Sequence, residues 1–216
     1  MKEVKKIIAK ISANSKRINT IKEELENTPW SEKKQLPLYE EESMLKLENM
    51  ILKENARNKL YHLVVPFIIE ALEKYNNKPY GEKTRERISQ EIESKTACRV
   101  YFSSDGATVY PSTKEYGYLF RYNDFNIYTR YDREANERIR ILKDNKIQAI
   151  SQEDIYLSCY CEYVKNPKAR AKRIMKEFYE LKEKEKEFDN ACKEFNKLLP
   201  SNIDSIHPNH FRSYLY

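Results

Sequence analysis

The sequence predicts an α+β fold: a long helical bundle or coiled-coil stalk with a small antiparallel β-sheet inserted between helices. Three observations lead there. Apolar residues recur in steps of three and four near both ends of the chain. Between about residues 97 and 150 that rhythm gives way to alternation rich in Tyr, Ile and Val. Asn- and Asp-containing turn signals separate the alternating runs. Four regions follow: N-terminal helices over 1–96, the β segment over 97–150, helices over 151–199 that pack on the N-terminal ones, and an irregular tail over 200–216.

Residues 2 to 27 read as a helix with a heptad seam. Val4, Ile11, Ile18 and Leu25 lie seven apart, and Ile7, Asn14 and Ile21 form the companion series, with Asn14 a lone polar member that fixes register. Thr28-Pro29-Trp30 ends it. A second helix is expected from near Leu38 to about Tyr75, kinked at Pro66 and buried around LVVPFII. Asn76-Asn77-Lys78-Pro79 breaks it, and a short helix runs from about Glu82 to Lys95.

CRVYF, ATVYP, YGYLFRY, FNIYTRY and ERIRIL then read as strands, separated by Ser103-Ser104-Asp105-Gly106, Asn123-Asp124 and Asp144-Asn145. Ser151 with Asp154 forms a capping-box signature that opens a helix through about Val164. The last helix is expected from Pro167 to Leu199. Its seam is Ala171, Ile174, Phe178, Leu181, Glu185, Phe188, Cys192, Phe195 and Leu199, with Glu185 the polar member.

Composition narrows the class of function. The chain of 216 residues is 40% apolar and 12% aromatic, enough to bury a core. Three glycines leave little room for a Gly-rich phosphate loop. No apolar run approaches the roughly 20 residues that span a bilayer, and the basic N-terminal stretch carries its isoleucines as a helical stripe. A soluble, cytoplasmic protein with no membrane partner is expected. Four cysteines do not make a disulfide framework. The net charge of +6 is modest, so where the cations concentrate matters more than their sum.

They concentrate in two places. If Asn123-Asp124 is a hairpin loop, Tyr122 opposes Phe125, Phe120 opposes Ile127, Tyr118 opposes Thr129 and Tyr116 opposes Tyr131, which gives one aromatic and aliphatic face. The opposite face then carries Arg121 and Arg130. With Arg99 and Tyr101 from CRVYF and Arg138 and Arg140 from ERIRIL in the same sheet, the exposed face would hold Arg99, Arg121, Arg130, Arg138 and Arg140 with Tyr101 and Tyr128 among them. Arginine between tyrosines suits phosphates by forked hydrogen bonds and bases by stacking; it equally suits a protein interface. The plain alternative is a solvated face whose arginines pair with Asp132, Glu134 and Glu137.

The second concentration is KNPKARAKRIMK. Six cations, Lys165, Lys168, Arg170, Lys172, Arg173 and Lys176, surround a helix start with no acid among them. Aligned peptides make a helix start electropositive, so this order costs a few tenths of a kcal/mol per cation unless an anion is near. Lys165, Lys168, Lys172 and Lys176 fall near one stripe, while Ala171, Ile174 and Phe178 turn inward.

Catalytic and metal patterns are weak. Cys159 and Cys161, two apart on a helix, point about 200° apart, and with His207 and His210 they match no zinc spacing well. His62 lies in an apolar stretch. Asp105, Glu115, Asp124 and Asp132 give a metal-dependent nuclease only a faint basis. No cofactor, metal or catalytic residue is expected. The reading is a non-catalytic binder of nucleic acid or of a nucleoprotein complex. The Lys-, Asn- and Tyr-rich, Gly-poor composition suggests an AT-rich bacterial or phage source, from which a small binder could serve as a phage or mobile-element inhibitor of a host defence complex such as a CRISPR effector. The alternative is a structural protein that forms homo-oligomers through its heptad helices.

Overall fold

The first helix, α1 (Lys2–Asn27), lays its seam along the second, α2 (Glu32–Lys74). The computed structural model describes residues 2–29, 31–112, 126–157 and 163–198. Val4, Ile11, Ile18 and Ile21 are buried; complete burial of an isoleucine contributes about 1.5–3 kcal/mol. Asn14 marks the polar layer, its amide donating to Asn49 Oδ1 at 3.0 Å and to Glu48 Oε2 at 3.3 Å. Lys10 meets the buried Glu48 carboxylate at 2.6 Å. Arg17 grips both oxygens of Glu41 at 2.9 Å. The heptad seam of α1 is thus filled from within the chain, and these polar contacts set its register.

Helix α2 begins at Glu32, earlier than the expected Leu38, and runs through both Pro37 and Pro66. The Ser31 carbonyl already accepts N–H bonds from Lys34 and Gln35, so a helical turn exists before Pro37 is reached. Around Pro66, the buried Val64, Val65 and Ile68 offset the roughly 3 kcal/mol that an interior proline costs. The helix stops as predicted before Asn77, which takes a left-handed φ of 61°. Helix α3 (Glu82–Thr96) follows and ends at Ala97, also left-handed with φ 56°.

Strands β1 (Cys98–Ser103), β2 (Gly106–Pro111), β3 (Asn126–Thr129) and β8 (Ile155–Leu157) form an antiparallel sheet in the order β1-β2-β3-β8. Its inner face is Cys98, Val100, Phe102, Ala107, Val109, Ile127, Ile155 and Leu157, in one buried cluster with Leu60, Val64 and Ile68 of α2 and Ile88 and Ile92 of α3. Two polar ties fix the sheet to the helical segments. The Tyr61 hydroxyl donates to the Ile155 carbonyl at 3.1 Å, and the Phe102 N–H donates to the Tyr80 hydroxyl at 2.8 Å. Two short ribbons complete this part: β4 (Tyr131–Asp132) with β5 (Glu137–Arg138), and β6 (Leu142–Lys143) with β7 (Lys146–Ile147).

Four expectations need correction. ERIRIL is not one strand of the sheet. Its first residues pair in the β4–β5 ribbon and its last in β6–β7, because buried Ile141 donates its N–H to the Ser104 carbonyl instead of joining a ladder. The Ser151–Asp154 contact is present, with the Ser151 N–H and hydroxyl both donating to Asp154 Oδ2 at 2.8 Å, but it closes one 3₁₀ turn (Gln152–Asp154), not a long helix. Ile155-Tyr156-Leu157 then extends as β8, since Ile155 and Leu157 find a buried face beside β3. Ile127 and Thr129 face inward as expected, whereas Tyr131 is exposed, because β3 ends at Thr129 and Tyr131 belongs to the next ribbon. The expected hairpin across Asn123-Asp124 is also corrected: Ile127 lies opposite Ala107 on one side and Leu157 on the other, Thr129 opposite Ile155 and Tyr131 opposite Arg138, because β2 and β8 flank β3 where residues 116–120 were expected. Residues 113–125, Cys159, Cys161 and the 200–216 tail lie outside the described residues.

The chain divides into two units, Met1–Pro167 and Lys168–Tyr216. Just before the boundary, the buried Asn55 amide of α2 clasps Val164. It accepts that residue's N–H and donates to its carbonyl, both at 2.8 Å. Lys59 lies 4.6 Å over the Tyr163 ring. The second unit holds α4 (Pro167–Leu198). Among the described residues, no helix is long and apolar enough to cross a membrane.

Candidate nucleic-acid interface

Because side chains alternate along a strand, the buried face of the sheet dictates what lies outside. Registers Arg99↔Tyr110, Tyr101↔Thr108, Gly106↔Tyr128 and Tyr128↔Tyr156 put Arg99, Tyr101, Tyr110, Tyr128 and Tyr156 on the outer face. Tyr101 is 36% and Tyr156 37% exposed. Tyr101 and Tyr110 meet edge to face at 5.4 Å; Tyr128 and Tyr156 are tilted at 6.3 Å. Between Ser103 and Tyr128 the row carries Gly106, which adds no side chain to it. That glycine is compulsory: a Cβ there would stand 2.1 Å from the Ile127 carbonyl oxygen.

Cations border this face. The Arg85 guanidinium of α3 lies 6.0 Å from the Tyr101 ring centroid. Arg99 is held by Glu93 at 2.9 Å, and that hydrogen bond pushes its pKa above the ordinary arginine value. In general, exposed aromatic rings beside guanidinium groups can take stacked unpaired bases, each worth about 1–3 kcal/mol.

The sequence-predicted residues divide accordingly. Arg99, Tyr101 and Tyr128 share the outer face. Arg130 follows the end of β3, is exposed, and donates its N–H to the Asp154 carbonyl. Arg138 is half-buried, its Nη1 donating to the Thr129 carbonyl at 3.0 Å, so its role in the described residues is to tie the β4–β5 ribbon to β3. Arg140 is exposed beyond that ribbon and not on the four-stranded sheet. Arg121 lies outside the described residues. Three members of the face escaped the sequence reading. Tyr110 was legible, since it alternates with buried Val109. Tyr156 was hidden by the helix assigned after Ser151. Arg85 reaches Tyr101 only through the packing of α3 on β1.

In the second unit, Lys168, Arg170, Lys172, Arg173 and Lys176 are all exposed, as is Lys165 before the boundary. Arg173 has Glu177 at 3.3 Å and Lys176 has Glu180 at 3.5 Å, one turn along. Lys165, Lys168, Arg170 and Lys172 make no ion pair among the described residues. Ala171 is buried and Ile174 partly so, but Phe178 is exposed rather than turned inward.

Among the described residues no group of three or more His, Cys, Asp and Glu side chains is arranged to hold a metal ion. Asp105 uses its backbone carbonyl to accept both the Thr129 N–H at 2.9 Å and the Thr129 hydroxyl at 3.1 Å, which is a structural turn role. Comparison with protein-family models, with curated proteins and with solved structures returns no match.

Proposed function

We propose that this chain is a non-catalytic binder of nucleic acid or of a nucleoprotein complex. The observation that carries the reading is the outer sheet face, where Tyr101, Tyr110, Tyr128 and Tyr156 stand with Arg85 and Arg99 at its border. Stacking platforms of this kind hold unpaired bases with little sequence preference. The exposed cations of α4 add the sequence-independent attraction to phosphate that dominates affinity. The finer reading is an inhibitor that occupies the guide or nucleic-acid groove of a defence ribonucleoprotein such as a CRISPR effector; its support is the composition alone.

The test is fluorescence anisotropy with labelled single-stranded and duplex oligonucleotides at two salt concentrations. Tighter binding of the single strand, lost on substitution of Tyr101, Tyr128 and Tyr156 by alanine, is the expected result. Equal affinity of the triple variant removes the sheet from the interface. Pull-down from a native host with and without nuclease treatment separates a nucleic-acid partner from an acidic protein.

A further inference from the structure

The two arginines that border the outer sheet face are not equivalent, although both neighbour Tyr101. Arg99 lies two residues before Tyr101 on the same side of β1, and the Arg85 guanidinium lies 6.0 Å from the Tyr101 ring centroid. Arg99 is already engaged: its Nε donates to Glu93 Oε2 at 2.9 Å. The two charges cancel locally, so a phosphate arriving there meets a neutral pair and gains little from counterion release. Arg85 is exposed, and its guanidinium makes no ion pair or hydrogen bond among the described residues. Glu82 and Glu86, the acids nearest to it in sequence, do not pair with it. A separation of 6.0 Å is the outer limit of a cation–π contact, so the ring holds the guanidinium weakly. The backbone adds to the difference. Arg85 stands near the start of α3, where aligned peptides are electropositive, and Arg99 follows its end at Ala97, where they are electronegative.

We propose that the ligand of this face is a single-stranded nucleic acid whose backbone passes over the β1 edge of the sheet, with one phosphate on Arg85, while Glu93 withholds Arg99. The inference rests on the stacking reading of the tyrosines and adds to it the strand's path and its anchoring charge. A base stacked on Tyr101 brings its own phosphate to the border of the ring, where the forked guanidinium of Arg85 takes two of the oxygens. In a duplex the bases stay in their own stack, so the ring and the guanidinium are not engaged together.

The experiment is fluorescence anisotropy of the full chain with labelled oligothymidylate across a salt series. Arg85→Gln should flatten the slope of log affinity against log salt by about 0.7, the value for one phosphate contact on a single strand, and Arg85→Lys should restore it. Arg87→Gln removes the same charge from another face of α3, beside Tyr75, Gln90 and Ser94, and should leave the slope unchanged. Glu93→Gln should steepen the slope by about 0.7, because Arg99 is released to a second phosphate, and Glu93→Gln with Arg99→Gln should return it to the wild-type value. A wild-type slope in Arg85→Gln overturns the proposal, as does equal flattening by Arg87→Gln or an unchanged slope in Glu93→Gln. A double variant flatter than wild type does so too, since Arg99 would then already be in use. No binding by the wild-type chain at low salt is a separate result: it removes the stacking reading itself, and the arginine assignment falls with it.

Discussion

Tyr128 of β3 stands directly across from Tyr156 of β8, ring centroids 6.3 Å apart on the outer face of the sheet. The pair joins two strands that are far apart in sequence, and it forms because Ile127 and Leu157 are opposite each other beneath it. If the rings carry stacked bases, Tyr128→Ala and Tyr156→Ala should each weaken single-strand binding by about 1–3 kcal/mol. Phenylalanine at either position keeps the ring and should leave most of the affinity. Anisotropy titrations of the four variants decide; loss with phenylalanine as well would assign the hydroxyls, not the faces, to binding.

On the proposed function, the basic start of α4 would contribute by a different term. Replacing Lys168, Arg170, Lys172 and Arg173 by glutamine would then remove up to four phosphate contacts. The slope of log affinity against log salt should flatten by about 0.7 per lost contact on a single strand. An unchanged slope would exclude this segment from the interface. Alanine at Arg99 and Arg130 tests the sheet side separately.

Gly106 permits the close approach of β2 to β3. In Gly106→Ala the new methyl meets backbone at Ile127, which has no free end to move aside. The cost should reach or exceed the upper part of the roughly 1–3 kcal/mol range for overpacking, measured by urea denaturation. Gly81, whose added Cβ would meet nothing within 4 Å, is the control, and its alanine variant should be close to neutral.

Stability should fall in acid, with a sign that follows from two carboxylates. The hydrogen bonds of Arg17 hold Glu41 below the usual carboxylate range, and that of Lys74, aided by Tyr75, does the same for Glu91. A group with a depressed folded pKa contributes stability that is complete above its unfolded value of about 4.3 and vanishes as pH drops through the folded value. Unfolding free energy should therefore be level from neutral pH to about 5 and decline below about 4. Glu41→Gln and Glu91→Gln should each cost about 0.2–1 kcal/mol at neutral pH and reduce the decline.

Cys98 is buried at the start of β1, and burial pushes its thiol up to about 11. It should resist iodoacetamide at neutral pH until denaturant is added, because the thiolate is the nucleophile. Peptide mass spectrometry of the labelled chain reads this directly. Rapid native labelling at Cys98 would mean that the β1–α3 contact opens readily.

The helical half of the fold was legible because its signals are repeated. The seam from Val4 to Ile21 appears several times over, and one misread residue does not break it. Helix α2 begins ahead of the Leu38 start expected from the sequence because the turn at Ser31 nucleates it before Pro37. Strands β1 and β2 alternate over six residues each and were found. Two short stretches were not. Ile155-Tyr156-Leu157 is too brief for periodicity to separate strand from helix, and its identity comes from β3 beside it. Ile139 to Ile141 alternates like a strand but sits in the passage between two ribbons. The outer face was half visible for the same reason: Tyr101 and Tyr128 announce themselves by alternation, while Tyr156 and Arg85 arrive there by tertiary packing.

The clasp of Asn55 on Val164 has a mechanical meaning. Walking back along the backbone from α4, a pulling force meets those two hydrogen bonds before it reaches β8. Load drawn through Val164 would pass into α2, the longest helix among the described residues. Tyr156 on the edge strand β8 lies beyond that clasp along the backbone, so the clasp would bear such a load first.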